Sequence, residues 1–351
     1  MIDRKSISKE WIEEIAGSHK ADKILVEKVI RALILLEGLC ESGLPYTFKG
    51  GTALMLMLNS TKRLSIDIDI ILPDKDADLD TVLAKICENK GFLRYEKQER
   101  PAATKIDKVH CQLFFKSKIQ DRESAVLLDI LREKIHYQNI IEIPVESFFI
   151  HQESEPVKVK VPDFNDILGD KLTAFAPNTT GIPYQKKDRD MGMEIIKQMY
   201  DIGCLCDKVD NPEVFSTVFN AFAKTELAYR DNRFSVEDVL NDIIDTALSV
   251  CLRQNQGNAN FDVLGKGIIQ VKSFIFSELF HLEKAITYAA KTAYLAAIVK
   301  YGKTEIIRYT SEIIVTDLLI SAPMNTKLNK LKKANREAFF YLYQISEMMN
   351  E

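Results

Sequence analysis

The chain has little of what would place a protein in a membrane or outside the cell. Across 351 residues no apolar run reaches the roughly 20 residues that cross a bilayer. Met1 to Lys20 are charged and carry Trp11 on an expected helix, so this stretch lacks the apolar core of a secretory leader. The six cysteines, Cys40, Cys87, Cys111, Cys204, Cys206 and Cys251, are scattered, mostly among apolar neighbours. Cys204-x-Cys206 has no second pair and no histidines at zinc spacing, so buried free thiols are expected, with neither disulfide nor zinc. The five histidines stand apart from any reactive serine or cysteine motif, which excludes a nucleophile-histidine triad. Basic excess is missing too: a net charge of −4 and a pI near 5.9 argue against a uniformly basic nucleic-acid binder. Low-complexity tracts and internal repeats are absent. The expectation is a cytoplasmic protein with no membrane partner.

What is present fits two globular domains. The length suffices for two cores, and 46% hydrophobic with 28% charged residues is ordinary for a globular chain. Apolar periodicity predicts a helix over Ala21 to Cys40 and another near Leu79 to Lys90, with strands near Val109 to Phe115 and Ala125 to Leu131. Pro156 to Pro162 alternates strictly and closes that region. From Asn165 onward the period becomes helical, with amphipathic stretches over Val214 to Tyr229, Val236 to Leu252 and Phe274 to Tyr301, and a polar turn at Asn255 to Asn260. Gly265-Lys266-Gly267 is too short for a phosphate loop and reads as a helix break. The fold class expected is α+β: a mixed β-sheet with flanking helices over residues 1–164, then a helical bundle over 165–351. The bundle's aromatic and leucine positions are read as core.

The most specific pattern is Lys49-Gly50-Gly51-Thr52-Ala53-Leu54 followed by Arg63-Leu64-Ser65-Ile66-Asp67-Ile68-Asp69-Ile70. On a strand, side chains alternate, so Asp67 and Asp69 leave on one face and Ile66, Ile68 and Ile70 on the other. Two carboxylates roughly 7 Å apart repel unless a cation lies between them. A hard ion such as Mg²⁺ suits them, because it takes carboxylate oxygens and completes its shell with phosphates. Gly50 and Gly51 let backbone approach an anion. Thr52 offers a hydroxyl or a cap to a helix over Ala53 to Leu58, whose N-terminus favours negative charge.

In this order, with Arg63 and Ser65 before the acidic strand, these motifs resemble the first motif of the AbiEii/MenT-like nucleotidyltransferase toxins of the DNA polymerase beta-like superfamily. Members are the toxic half of type IV toxin-antitoxin and abortive-infection systems. The resemblance implies a third carboxylate on a neighbouring strand, and Asp129 in Ala125 to Leu131 is the candidate. That run is apolar on both faces, so a lone aspartate within it needs a cation or hydrogen bonds. Ile167 to Phe175 places Lys171 on an apolar stripe of a helix capped near Asp163 or Asn165. Such a lysine snorkels or points at an anion. The segment resembles the family's Lys-Leu-x-Ala motif, whose lysine contacts the triphosphate. The family's last motif, an aspartate in a run like Arg/Lys-Asp-x-Tyr-Asp, is best matched by Lys197-Gln198-Met199-Tyr200-Asp201, with Gln198 replacing the first aspartate. From spacing alone Lys197 and Asp201 form an exposed i,i+4 pair; the resemblance gives Asp201 a functional role, and Asp190 stays open as the alternative. The intervening Ala176 to Pro183 reads as a loop able to close over substrate.

Together the resemblance implies a metal-dependent nucleotidyltransferase. Asp67, Asp69 and Asp129 hold Mg²⁺ or Mn²⁺, and Asp67, Asp69, Asp129, Lys171 and Asp201 carry catalysis. Gly50, Gly51, Thr52, Arg63, Ser65 and Lys171 bind the NTP. The acceptor implied is the 3′ end of tRNA, with an antitoxin as partner, and Lys171 and Asp201 contributed to the cleft by the helical domain. Two other readings share these residues: a small-molecule nucleotidyltransferase of the antibiotic-modifying kind, and a catalytically silent nucleotide-binding module. Lys186, Lys187 and Arg189, and the run Lys327, Lys330, Lys332, Lys333 and Arg336, are locally basic. They either track an RNA backbone or are solvated faces.

Overall fold

A computed structural model describes residues 1–58, 62–98 and 107–351. The chain forms two compact units: Met1–Asp163 with Ser273–Leu279, and Phe164–Lys272 with Phe280–Glu351.

The first unit is α+β. Helices α1 (Lys9–His19) and α2 (Lys23–Glu41) lead into β1 (Thr47–Lys49), α3 (Gly50–Met57), β2 (Ile68–Ile71), α4 (Leu79–Lys90), β3 (Arg94–Gln98), β4 (Lys108–Lys116) and β5 (Glu123–Leu131). Five of these strands form one sheet in the order β1-β2-β5-β4-β3, with β2 and β5 parallel and the other neighbours antiparallel. Ile68, Ile70, Val126, Leu128, Ile130, Cys111, Leu113 and Phe115 turn to one face and are buried. That face packs on α2, which is buried nearly all round from Val26 to Leu39, the charged Glu27, Arg31 and Glu37 included. The two acids buried on α2 are both satisfied. Glu27 accepts from the Ser117 hydroxyl at 2.6 Å and the Lys118 amide at 2.7 Å, and Glu37 from the Ile2 amide at 2.6 Å and Lys90 Nζ at 2.7 Å. The alternating segment ending at Pro162 does not join the main sheet: β7 (Lys158–Pro162) pairs with β6 (Ile140–Pro144) as a separate hairpin.

The second unit is helical: α5 (Phe164–Ala174), a small hairpin of β8 (Gln185–Lys186) and β9 (Arg189–Asp190), then α6 (Gly192–Cys206), α7 (Pro212–Tyr229), α8 (Val236–Leu252), α9 (Phe261–Gln270), α10 (Leu282–Lys300), α11 (Leu331–Ala334) and α12 (Arg336–Asn350). The alanine-rich α10 is the hub, packed by α6, α8 and α12. Its buried Lys291 is held between Asp207 and Glu337, at 2.9 Å from each. The six cysteines carry free thiols, and among the described residues no helix is long and apolar enough to cross a membrane.

Several local expectations are corrected. The stretch Phe274 to Tyr301 is not one helix: α10 starts at Leu282, and Ser273–Leu279 belongs to the first unit. There Ile275 bridges Arg63 and the Phe274 carbonyl accepts from the Leu64 amide at 2.7 Å, so pairing with a distant segment overrides helical period. Asn165 does not cap α5; its side-chain oxygen accepts from the Asp210 and Asn211 amides at 3.1 and 3.0 Å. The loop after α5 is tied down. Asp242 accepts from the Asn178 amide at 2.8 Å and the Thr179 hydroxyl at 2.9 Å, and Arg230 donates to the Thr180 carbonyl at 2.6 Å. These bonds tie the loop to α8 and to the end of α7.

Gly265-Lys266-Gly267 does not break a helix; it lies within α9. The two glycines differ in purpose. A Cβ on Gly267 would stand 2.3 Å from the Gly192 backbone, and one on Gly192 would stand 2.2 Å from the Val263 carbonyl, so α6 and α9 touch backbone to backbone. A Cβ on Gly265 would meet nothing within 4 Å. Gly267→Ala should therefore destabilise the protein by about 2 kcal/mol or more through overpacking, whereas Gly265→Ala, two residues away, should stabilise it by about 0.5–1 kcal/mol through helix propensity. Thermal unfolding of the two variants checks the pair; equal shifts would contradict the close α6–α9 approach.

Candidate functional site

In the first unit the site begins where β1 ends. Gly50 opens α3 with a φ of +80°, a left-handed conformation that other residues enter at a cost. The space above it is taken: a Cβ on Gly50 would lie 2.2 Å from Asp69 Oδ2. Gly51 is equally constrained, since its Cβ would stand 2.7 Å from both Arg63 Nη2 and Ser65 Oγ. The motif needs two glycines because an acid, a guanidinium and a hydroxyl lie directly against the turn. Lys49, the residue before the helix, makes no side-chain cap to the first-turn amides of α3.

Thr52 is neither a cap nor available to ligand. The helix already starts at Gly50, the side chain is fully buried, and its hydroxyl donates to the Asp67 carbonyl at 2.6 Å. Its work is to fix the segment that carries the acids. Arg63 is buried and donates to the Leu64 carbonyl at 3.0 Å. The backbone on either side of it is anchored by the returning segment, with Ser277 Oγ donating to the Lys62 carbonyl at 2.8 Å.

Asp67 lies in the extended stretch just before β2, and Asp69 lies within it. Both are half-buried while Ile68 and Ile70 are buried, the alternation a one-sided strand requires. The decisive relation is the register of the parallel pair: Asp69 stands opposite Asp129, with Ile68 opposite Leu128 and Ile70 opposite Ile130. Register partners in neighbouring strands share a face and lie about 4.8 Å apart at the backbone, so the two carboxylates emerge side by side. Asp129 is not in a strand buried on both faces as expected. β5 is covered on one side only, and Leu127 on the Asp129 side is 38% exposed.

Asp129 is held by two partners that the sequence motif does not contain. Lys108 Nζ lies 2.8 Å from one carboxylate oxygen, and His110 Nδ1 meets the other in a short contact. His110 is the antiparallel register partner of Asp129. The signal was the alternation of Lys108, His110 and Gln112 on a strand otherwise apolar, which becomes informative only once β4 is known to lie beside β5.

The residues fit a hard divalent cation in kind: three carboxylates, two of them paired in register beside a glycine turn. Among the described residues no three Asp, Glu, His or Cys side chains form a ready-made cage. A Mg²⁺-type site does not require one, because such an ion is held by one or two carboxylates together with substrate phosphates and water.

In the second unit Lys171 and Asp201 meet. Lys171 Nζ lies 2.8 Å from Asp201 Oδ2 and 2.9 Å from Gln198 Oε1, and both charged side chains are buried. Asp201 is therefore not an exposed partner of Lys197; the packing of α5 on α6 buries it against Lys171. Asp190 lies elsewhere, on the β8–β9 hairpin, with Lys266 at 3.3 Å. Gln198, read from sequence only as a departure from the motif, is the neutral third member of this cluster.

Three comparisons with known proteins bear on the chain. The family described as "Nucleotidyl transferase AbiEii toxin, Type IV TA system" matches residues 34–260, more than half of the chain. A candidate nucleotidyltransferase of H. pylori is similar in structure at 14% identity and a TM-score of 0.42, covering 82% of this chain and 95% of its own. The Helicobacter pylori protein JHP933 is similar at 14% identity and a TM-score of 0.41, covering 80% and 93%. No curated protein matches in sequence.

The Lys171–Asp201 pair has a thermodynamic signature. Lys171→Met leaves Asp201 buried without its cation and should cost about 3–5 kcal/mol. The double variant Lys171→Met/Asp201→Leu removes both charges and should be more stable than that single variant. Urea unfolding of the four forms measures the coupling; additive losses would contradict the buried pair.

Proposed function

The chain belongs to the AbiEii family of nucleotidyltransferase toxins of type IV toxin-antitoxin systems, and from this we propose that it moves a nucleoside monophosphate from an NTP to a hydroxyl at the 3′ end of tRNA. Membership itself makes the protein a nucleotidyltransferase with a nucleotide substrate and an antitoxin counterpart. The acceptor, the metal dependence, the cytoplasmic setting and the residue roles are the proposal.

The observation that carries it is the register of Asp69 against Asp129, with Gly50 pressed on the Asp69 carboxylate. A phosphate-approaching turn and a paired-acid face are thereby adjacent. Mg²⁺ or Mn²⁺ would be held by one or two of the carboxylates of Asp67, Asp69 and Asp129 together with substrate phosphate, and when bound it supplies neutralisation of the charge that builds on the transferring phosphate. The Gly50 and Gly51 backbone receives the triphosphate at the start of α3. Arg63 and Ser65 border that turn; for Lys171, the resemblance of Lys171-Leu172-Thr173-Ala174 to the family's Lys-Leu-x-Ala motif is what supports a phosphate-binding role. Thr52 acts through Asp67, whose backbone it holds. The acceptor oxygen attacks the α-phosphorus in line. A P–O bond forms there as the bond to the β-phosphate breaks; pyrophosphate leaves, and the hydroxyl proton passes to a carboxylate of the acidic face. Asp201 orients Lys171 through the ion pair described above.

Incubating the protein with labelled NTPs, a tRNA pool and an aminoglycoside tests the reading. Label is expected on tRNA, and Asp69→Asn should lower the rate by about a hundredfold to a thousandfold with an unchanged melting curve. Label on the aminoglycoside alone would overturn the tRNA assignment. Growth arrest undiminished in the Asp69→Asn strain would overturn catalysis as its cause.

A further inference from the structure

The basic run near the C-terminus is used neither by the acidic face nor by the Lys171 pair. It is a built platform. Asn325 accepts from the Lys327 amide at 3.0 Å and starts a 3₁₀ turn, Thr326–Lys330, which runs into α11. Met324, Leu328 and Leu331 are buried beneath it. Asn329 clasps Ile320, accepting from its amide at 3.0 Å and donating to its carbonyl at 2.8 Å. Asn335 closes the far end, accepting from the Ala338 amide at 3.1 Å and donating to the Glu283 carbonyl at 3.0 Å.

The five cations on this platform divide into two kinds. Lys332 serves the fold: its ammonium donates to the Thr316 carbonyl at 3.0 Å and lies 5.2 Å from the centre of the Phe339 ring. Lys327, Lys330, Lys333 and Arg336 are exposed, and none of them makes an ion pair or a side-chain hydrogen bond among the described residues. Some exposed cations elsewhere are paired, as Lys23 is with Glu13 and Lys116 with Asp121, and others, such as Lys158 and Lys160, stand as open as these four. The four recur every third residue, with no acid from Asn325 to Arg336, in a chain whose net charge is −4. Like charges so spaced repel, by a few tenths of a kcal/mol or so per helical pair. Lys327 and Lys330 are one 3₁₀ turn apart, about 6 Å along the axis, an interval close to that between successive phosphates of a nucleic-acid strand; the non-helical Asn335, at φ −151°, separates Lys333 from Arg336.

We propose that Lys327, Lys330, Lys333 and Arg336 form a docking strip for the phosphate backbone of the RNA acceptor. The inference rests on the tRNA reading above and adds where that acceptor is gripped. A strip of four cations matches the polar, strongly positive character of nucleic-acid interfaces. The strip lies beyond residue 260, where the family match ends. Contacts of this kind give affinity and register without reading sequence.

The test uses the full chain and deacylated tRNA. Binding is followed by anisotropy over a range of KCl, and transfer kinetics are measured with NTP and tRNA varied separately. Replacing all four residues by Gln should lower the magnitude of the slope of log K against log salt by about 3, at about 0.7–0.9 per lost phosphate contact. The KM for tRNA should rise by tenfold or more, while kcat, the KM for NTP and the melting curve stay as in the parent. A variant with Lys327, Lys330 and Lys333 changed to Arg should keep the parental slope. Parental protein that transfers to tRNA beside a Gln variant with unchanged slope and KM overturns the strip alone. Parental protein that labels no RNA overturns the functional reading and the strip with it. Loss of binding to a purified acidic protein, with tRNA binding intact, overturns the strip in favour of a protein surface.

Discussion

The parallel pairing of β2 with β5 is the constraint on which the first unit's chemistry depends. Asp69 and Asp129 are distant in the chain and meet because these two strands are neighbours in a fixed register. The register is enforced from the opposite face. Ile68, Ile70, Leu128 and Ile130 are all essentially buried, and a slip of one residue would turn them outward and drive both aspartates into the core. Apolar burial thus specifies the position of polar groups. A strand covered on one side only is what permits this, because a carboxylate in a strand buried on both faces would have to be satisfied entirely by the protein.

The connection between the paired strands contributes chemistry of its own. Parallel neighbours require a crossover, and here the intervening chain includes α4, β3 and β4. By returning antiparallel beside β5, β4 delivers Lys108 and His110 to Asp129. The carboxylate is held in place by a cation and an imidazole from the adjacent strand. Around the turn the logic is similar: Gly50 and Gly51 are required because Asp69, Arg63 and Ser65 already occupy the volume a side chain would claim, and Ser273–Leu279 returns to hold the Lys62 to Leu64 backbone.

Much of this was legible locally. The α+β class, the bounds of α4 and α8, the acidic alternation and the glycine turn follow from patterns within ten or twenty residues, where periodicity and conformational preference act. What escaped involves partners far apart in sequence. The side chains holding Asp129 lie on a strand whose neighbour no local pattern names. Asp201 reads as one end of a surface pair with Lys197, but the packing of α5 on α6 buries it against Lys171. Gly267 looks like a helix breaker until the backbone of Gly192 is found against it. Segment Ser273–Leu279 has helical period yet pairs with Arg63, because an extended contact there serves the site's backbone.

The Lys171 cluster shows why a departure from a motif can be physically coherent. With a carboxylate at position 198, two acids would face one buried ammonium, and their mutual repulsion would make the cluster net negative in a place poorly screened by water. Gln198 instead offers a neutral oxygen 2.9 Å from Lys171 Nζ, completing its hydrogen bonding while Asp201 alone balances its charge. The resulting pair is close to neutral, so burying it costs less than burying a net anion. An ammonium held by one carboxylate and one amide also keeps more of its attraction for an incoming polyanion than one held by two carboxylates. The amide at position 198 therefore leaves the ammonium paired with a single carboxylate, which is the least costly way to bury it.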